Sequence, residues 1–407
     1  MNLNNDTKLQ LFKDFENLTI SISEFDKQHI ELVMNKSIEL AQIRNLDINL
    51  VEVIALFHDI GRINENINPN NHANSGSDFL LKYYKNEPFE GFEEFICAIK
   101  EHSNKAKVTT PYSELLKDAD SYAHSLEFDS IKNKESLRIK YINYPPFYLK
   151  WINNEQLYLQ IKEYLSKLVD YFDVNDVHQI RVTIRTIRSM IQILKNTTDY
   201  KYFNDLDKLL KNIFQSYEYS RKLSVFYPIL NSSKLQNKIK NNIDKENKNI
   251  KDKMDKETIK LKIMLNSFPD PTNENLDVVI KNILLEYIIS INTVTFKDIE
   301  SLHKLRIKGK MIKYLMELNL VEFNENHYNL LKVLHESIGN LNDIQENRIL
   351  AIDNKSKLTK KEYDSIKKQL KKSEKILITE LKKEVFIMRL LVNRSIYWPV
   401  FISYLKF

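Results

Sequence analysis

The sequence predicts an all-α protein, and three observations carry that expectation. Apolar residues recur at the three- and four-residue spacing of helices along most of the chain. Strand-like alternation is scarce. Five glycines and nine prolines in 407 residues are few for such a length. The glycines (Gly61, Gly76, Gly91, Gly309 and Gly339) fit neither a G-x-G-x-x-G turn nor a Walker loop, which argues against a glycine-loop nucleotide fold.

Taken in order, the periodicity places helices at 24–45 around His29, 49–60 ending on His58-Asp59, 71–85, 91–103 ending on His102, and 112–127. Pro145-Pro146 interrupts the pattern, so a domain of residues 1–150 is expected to give way to a second helical block of residues 155–407. Within that block, Ser232–Glu257 is rich in Lys and Asn and reads as an exposed helix or a long connection. Residues 353–383 read as a long, charged amphipathic helix or a helical pair.

The second block contains a repeat. His178, Arg181, Arg185 and Arg188 recur as His303, Arg306, Lys310 and Lys313, with basic residues at +3, +7 and +10 after each histidine. At about 100° per residue, each set falls within an arc of about 80° on one helix face. A lysine and arginine face is ordinarily solvated surface; its duplication at identical spacing points instead to a cationic groove.

Charge is split along the chain. Residues 1–150 carry 17 Lys and Arg against 23 Asp and Glu, and the remainder carries 44 against 32. An acidic first part and a basic second part are expected where one site holds cations and another a polyanion. One cysteine, Cys97, excludes an intramolecular disulfide and suits a reducing compartment. The polar opening Met1–Asp6 has no leader character, and no uncharged apolar run nears the ~18 residues of a spanning helix. A cytoplasmic protein without membrane partners is the expectation.

The densest chemistry lies in Ala55–Arg62, where His58 and Asp59 close an apolar helical run just before Gly61. A lone His-Asp pair is usually a helix end with a solvated acid. Here further imidazoles and carboxylates accompany it in sequence: His29 before, and His72, His102, Asp118 and Asp120 after. Such ligands suit Mn, Fe, Zn or Mg centres. Arg62, Lys100 and Lys105 are available to touch phosphate, Glu65 to act as a base, and His124 reads as a core or rim histidine.

The stretches "ALFHDIGR", "NHANSGSDFL", "AIKEHSNK" and "ELLKDADSYA", in that order over residues 15–130, resemble the HD superfamily of metal-dependent phosphohydrolases. The resemblance implies that His29, His58 and Asp59 are ligands of a divalent metal (Mn, Mg, Fe, Ni or Zn). It takes the closing carboxylate from Asp120, with Asp118 as the alternative. It makes His72 and His102 either ligands of a second ion or binders of substrate phosphate, and it groups His58, Asp59, Arg62, His72 and His102 as catalytic. The reaction implied is attack of metal-activated water on a phosphate ester or anhydride.

Residues 155–407 resemble the conserved histidine α-helical (CHAD) domain, a helical domain of two pseudo-repeated halves that binds inorganic polyphosphate. The resemblance rests on the two basic repeats, on Tyr314, and on "LHESIGNLND" at Leu334–Asp343. Its counterpart "YEYSRKLSVF" keeps Arg221 but lacks the Gly and the Asp. It implies polyphosphate contacts from His178, Arg181, Arg185, Arg188, Arg221, His303, Arg306, Lys310 and Lys313. Nucleic acid is the competing polyanion, disfavoured because aromatic residues are not interleaved on the basic faces.

The expectation is a metal-dependent phosphohydrolase acting on polyphosphate, a nucleotide or another phosphorylated small molecule, joined to a polyphosphate-binding domain. The alternatives are a non-catalytic polyphosphate sensor and a nuclease with a basic nucleic-acid-binding domain.

Overall fold

Polar caps set where the first helices start. Helix α1 (Asn5–Leu18) begins behind Asn4, whose side-chain oxygen accepts the Thr7 N–H at 2.8 Å. Helix α2 (Glu24–Arg44) begins behind Ser23, which accepts the Asp26 N–H at 3.1 Å. It ends at Asn45 in the left-handed region, φ 52°. Helix α3 (Ile48–Phe57) begins behind Asp47, which accepts the Asn49 N–H at 3.0 Å. Short α4 (Ile60–Ile63), α5 (His72–Tyr83) and α6 (Phe92–Glu101) follow. Helix α7 (Pro111–Glu127) has Thr110 as its cap and Pro111 in its first turn, and α8 (Asn133–Lys140) completes the set.

These helices belong to one of two compact units in the computed structural model, which describes residues 3–19, 22–64, 67, 71–152, 154–174, 176–194, 200–230, 233–271, 276–296 and 298–394. The first unit packs around α3. Every residue of that helix from Leu50 to Phe57 is buried except Glu52, and α1, α2, α6 and α7 all touch it. Each fully buried Leu, Ile or Phe contributes roughly 1.5–3 kcal/mol.

One backbone contact places the site. A Cβ at Gly61 would lie 2.1 Å from the carbonyl oxygen of His72 and 2.8 Å from the Gly76 nitrogen. Glycine at 61 therefore lets α4 and α5 meet backbone to backbone, which brings the start of α5 against Asp59.

The second unit opens with β1 (Lys150–Trp151), antiparallel to β2 (Val321–Glu322) with Lys150 opposite Glu322 and Trp151 opposite Val321. The rest is helical: α9 (Asn154–Asp173), α10 (Val177–Leu194), α11 (Tyr200–Ser216), α12 (Glu218–Phe226), α13 (Ser233–Asn266), α14 (Asp277–Thr293), α15 (Ile299–Glu317), α16 (Glu325–Asp353) and α17 (Lys360–Asn393). Both copies of the basic repeat lie on helices, α10 and α15, and these two helices pack on each other. Each buries its apolar side, Ile180, Ile184, Ile187 and Met190 on α10 and Leu302, Leu305, Ile312 and Leu315 on α15.

The described residues form 17 α-helices and one pair of two-residue strands, so the all-α expectation holds. The Lys- and Asn-rich segment is a continuous helix, α13, that buries Leu235, Ile239, Ile250, Met254 and Leu261. Three corrections follow. The run expected at 49–60 breaks after Phe57, so Asp59 lies between α3 and α4. Helices α1 and α8 were not anticipated. The second domain was expected to reach residue 407, yet the described residues from Phe386 onward belong to the first unit. There the Phe147 N–H donates to Leu391, and Arg394 reaches Asp118. No described helix is long and apolar enough to cross a membrane.

Candidate functional site

Six side chains converge in the first unit from six places in the chain. His29 comes from α2, His58 from the end of α3, Asp59 from the α3–α4 junction, His72 from the first turn of α5, His102 from the end of α6 and Asp120 from α7. All but His72 are buried. Ligand atoms of His29, His58 and Asp120 lie within 4.8 Å of one another, and so do those of Asp59, His72 and His102.

Asp59 joins the two groups. Its Oδ2 is 3.4 Å from His58 Nε2 and 3.8 Å from His29 Nε2, while its Oδ1 is 3.4 Å from His72 Nε2 and 3.3 Å from His102 Nε2. One carboxylate thus turns an oxygen to each pair of imidazoles. Arg62 holds Oδ2 from the other side at 2.6 Å and also reaches Asp26 at 3.0 Å.

The second hydrogen bonds of the rings fix which nitrogens are free. His58 Nδ1 donates to the Ala55 carbonyl at 2.7 Å, and His102 Nδ1 donates to the Ile99 carbonyl at 2.7 Å. His29 Nδ1 donates to Glu127 at 2.8 Å. The Nε2 atoms of these rings therefore face inward, those of His29 and His58 only 3.2 Å apart. Two inward-facing lone pairs at that distance repel unless a cation or proton lies between them. This donor set fits a divalent cation, with Glu127 in the supporting place a carboxylate takes behind a ligating histidine.

Electrostatics keep the two carboxylates of the cluster ionised. Burial raises the pKa of Asp59 and of Asp120, but His58 and His102 around the first, and Lys105, His29 and His124 around the second, outweigh it and hold both carboxyls well below their usual range. Burial opposes protonation of His29, yet Asp120, Glu127 and Asp59 leave its pKa raised.

Asp118 is a correction. Two residues from Asp120, it points away from the imidazoles into a fully buried cluster, accepting from Arg44 (2.7 Å), Arg138 (3.0 Å) and Arg394 (2.6 Å). Both oxygens are occupied, so Asp118 serves the packing of the unit and not the cluster. His124, read as a core or rim histidine, is half-buried and lines the cleft beside the cluster, with its Nε2 3.2 Å from Asp120 and its Nδ1 3.1 Å from Glu135.

The cluster floors a cleft of about 600 Å³, which Arg62, Lys105, Lys132 and Lys134 also line. Lys105 is buried and ion-paired to Asp120; Lys100 is exposed and lines no part of the cleft. Glu65 lies outside the described residues. Glu127 and Glu135 escaped the sequence reading, because nothing local marks a glutamate whose partner histidine is distant in sequence.

In the second unit, two clefts of about 730 and 680 Å³ share Arg185, Arg306 and Lys310. His178, Arg181, Arg221 and His303 line one, and Lys313 lines the other. Gly339 leaves room for the Arg306 guanidinium, 3.2 Å from where its Cβ would be. Burial, with Arg306, Arg185, Arg221 and Lys313 close by, pushes Lys310 down to about 6. Arg188 is a correction: it turns toward α11, bonds Asp207 at 2.6 Å and lines neither cleft, whereas Lys313 at the same position of the second copy lines the larger one. The view of the basic faces as free of aromatics also changes. Arg181 stacks 3.9 Å over Phe214, and Tyr164, Tyr171 and Tyr314 line the larger cleft.

Residues 27–124 match the family model of the HD domain, and residues 155–351 match that of the CHAD domain. No curated protein and no solved structure matches the chain significantly. The HD family is generally one of metal-dependent hydrolases, and CHAD domains are associated with polyphosphate binding. The chain thus carries an HD domain followed by a CHAD domain.

Proposed function

We propose that the first unit is a metal-dependent phosphohydrolase that cleaves a phosphate ester or anhydride, and that the second unit binds polyphosphate. The observation that carries the first part is the Asp59 carboxylate, with each oxygen facing its own pair of imidazole Nε2 atoms at the floor of a cation-lined cleft. His29, His58, Asp59 and Asp120 would hold one divalent ion, and His72 and His102 with Asp59 a second. An ion there lowers the pKa of its water and offsets charge on the phosphoryl oxygens.

The chain's own groups prepare the rest. Ala55, Ile99 and Glu127 fix the ring orientations, and Arg62 fixes Asp59. Lys105, at the cleft wall, holds the Asp120 carboxylate in place through their ion pair. In the second unit, Arg185, Arg306 and Lys310 have no carboxylate partner among the described residues, as befits a site for a polyanion read by charge alone.

The test is a substrate panel. Full-length protein with Mn or Mg is offered polyphosphate, nucleoside triphosphates and single-stranded DNA or RNA, and released phosphate and chain cleavage are measured. Phosphate release lost in His58→Ala supports the reading. Cleavage of nucleic acid alone would favour the nuclease instead, a reading to which the tyrosines of the larger cleft give some footing.

A further inference from the structure

The cleft above the metal cluster has a second cationic wall. Arg62 and Lys105 are engaged by Asp59 and Asp120, so their charge is spent on the cluster itself. Lys132 and Lys134, at the start of α8, line the same cleft and have no carboxylate partner among the described residues.

The backbone at Lys132 and the ammonium of Lys134 are held in place. Glu135 accepts the Lys132 N–H at 3.1 Å and bonds His124 at 3.1 Å, and His124 reaches Asp120 at 3.2 Å. The Lys134 ammonium rests 3.8 Å over the ring of Phe386, which is buried. The first turn of α8 is thereby tied to the ligand Asp120 through one imidazole and one carboxylate.

A single phosphoryl group at the cluster would leave these two cations unused. We propose that Lys132 and Lys134 bind a second, non-reacting phosphate, so that the substrate is a phosphoanhydride chain of at least two phosphates and not a simple monoester. Water attacks the phosphorus at the cluster, one P–O–P link breaks, and both products leave as phosphate-terminated species. The inference rests on the phosphohydrolase reading and specifies its substrate class.

The test compares tripolyphosphate with p-nitrophenyl phosphate on the full-length, metal-loaded protein. Wild type is expected to favour tripolyphosphate in kcat/KM by at least about tenfold. Lys132→Ala with Lys134→Ala is expected to raise KM for tripolyphosphate by about 10–100-fold while leaving kcat and the monoester KM unchanged. Lys132→Glu alone, which spares the Phe386 contact, is expected to act in the same direction.

Binding of methylene diphosphonate, followed by calorimetry in an Arg306→Ala/Lys310→Ala background that silences the second unit, is expected to weaken in parallel. Equal effects on both substrates, or none, would overturn the inference with the hydrolase reading intact. A wild type that hydrolyses neither compound would overturn that reading and the inference together.

Discussion

His29 shows how one residue is shared between scaffold and site, donating through Nδ1 to Glu127 and turning Nε2 toward His58 and Asp120. Glu127→Ala removes the acceptor and frees the ring to rotate. Metal affinity is expected to fall about 10–100-fold with the fold retained, as read by metal titration; unchanged affinity would make Glu127 a bystander. Asp118 poses the opposite case. Replacing it by Asn leaves three buried arginines poorly neutralised, at an expected cost of about 3–5 kcal/mol. Burial raises its pKa, but Arg394, Arg44 and Arg138 outweigh that and depress it. Its stabilisation is therefore present above the unfolded carboxylate value of about 3.9 and is lost as pH falls toward its folded pKa. The difference in unfolding midpoint between wild type and Asp118→Asn should be full near neutrality and shrink in strong acid. The ligand types and their order were legible in the sequence. Asp120 was preferred over Asp118 by the resemblance alone, because the three arginines that claim Asp118 are not marked in the local sequence.

At the scale of elements, the meeting of α4 and α5 is the joint that brings His72 to Asp59. Gly61→Ala puts a methyl into the His72 carbonyl and should cost about 3 kcal/mol or more. A lowered unfolding midpoint with weakened metal binding would bear this out, and a variant equal to wild type in both would refute it. The last turns of α17 and the residue after it make the other joint, through Phe386 and Arg394. Arg394→Leu is expected to destabilise the first unit by about 3 kcal/mol, seen as an earlier thermal transition. Helices with long apolar stripes, such as α2, α6 and α7, could be read from periodicity almost to their ends. Helix α8 could not, being only eight residues long with two buried positions. The return of α17 to the first unit coincides with a change from the charged run that ends at Glu384 to the mostly apolar Phe386–Val392, a shift that marks burial but does not say against which unit.

Across the whole molecule, the acidic first part carries the imidazole and carboxylate cluster proposed to hold cations, and the basic second part carries the clefts proposed to take a polyanion. Lys310 gives the second of these a pH signature. With its pKa near 6 in the free protein, the neutral amine predominates above that value, and a polyanion must draw a proton onto it. Polyphosphate affinity is expected to fall about tenfold for each pH unit above about 6, and Lys310→Arg to flatten that slope, as followed by calorimetry between pH 5.5 and 8. A wild-type affinity independent of pH would contradict it.

If Asp59, shared between two pairs of imidazoles, organises a hydrolytic metal centre, its charge is needed for metal binding and activity together. The most direct test is metal content and phosphate release measured side by side on wild type and Asp59→Asn. The wild type is expected to bind divalent metal and to release phosphate from a phosphoanhydride, with both sharply reduced in the variant. A metal-loaded wild type that releases no phosphate from any substrate, or an Asp59→Asn protein that retains full metal content and activity, would contradict it.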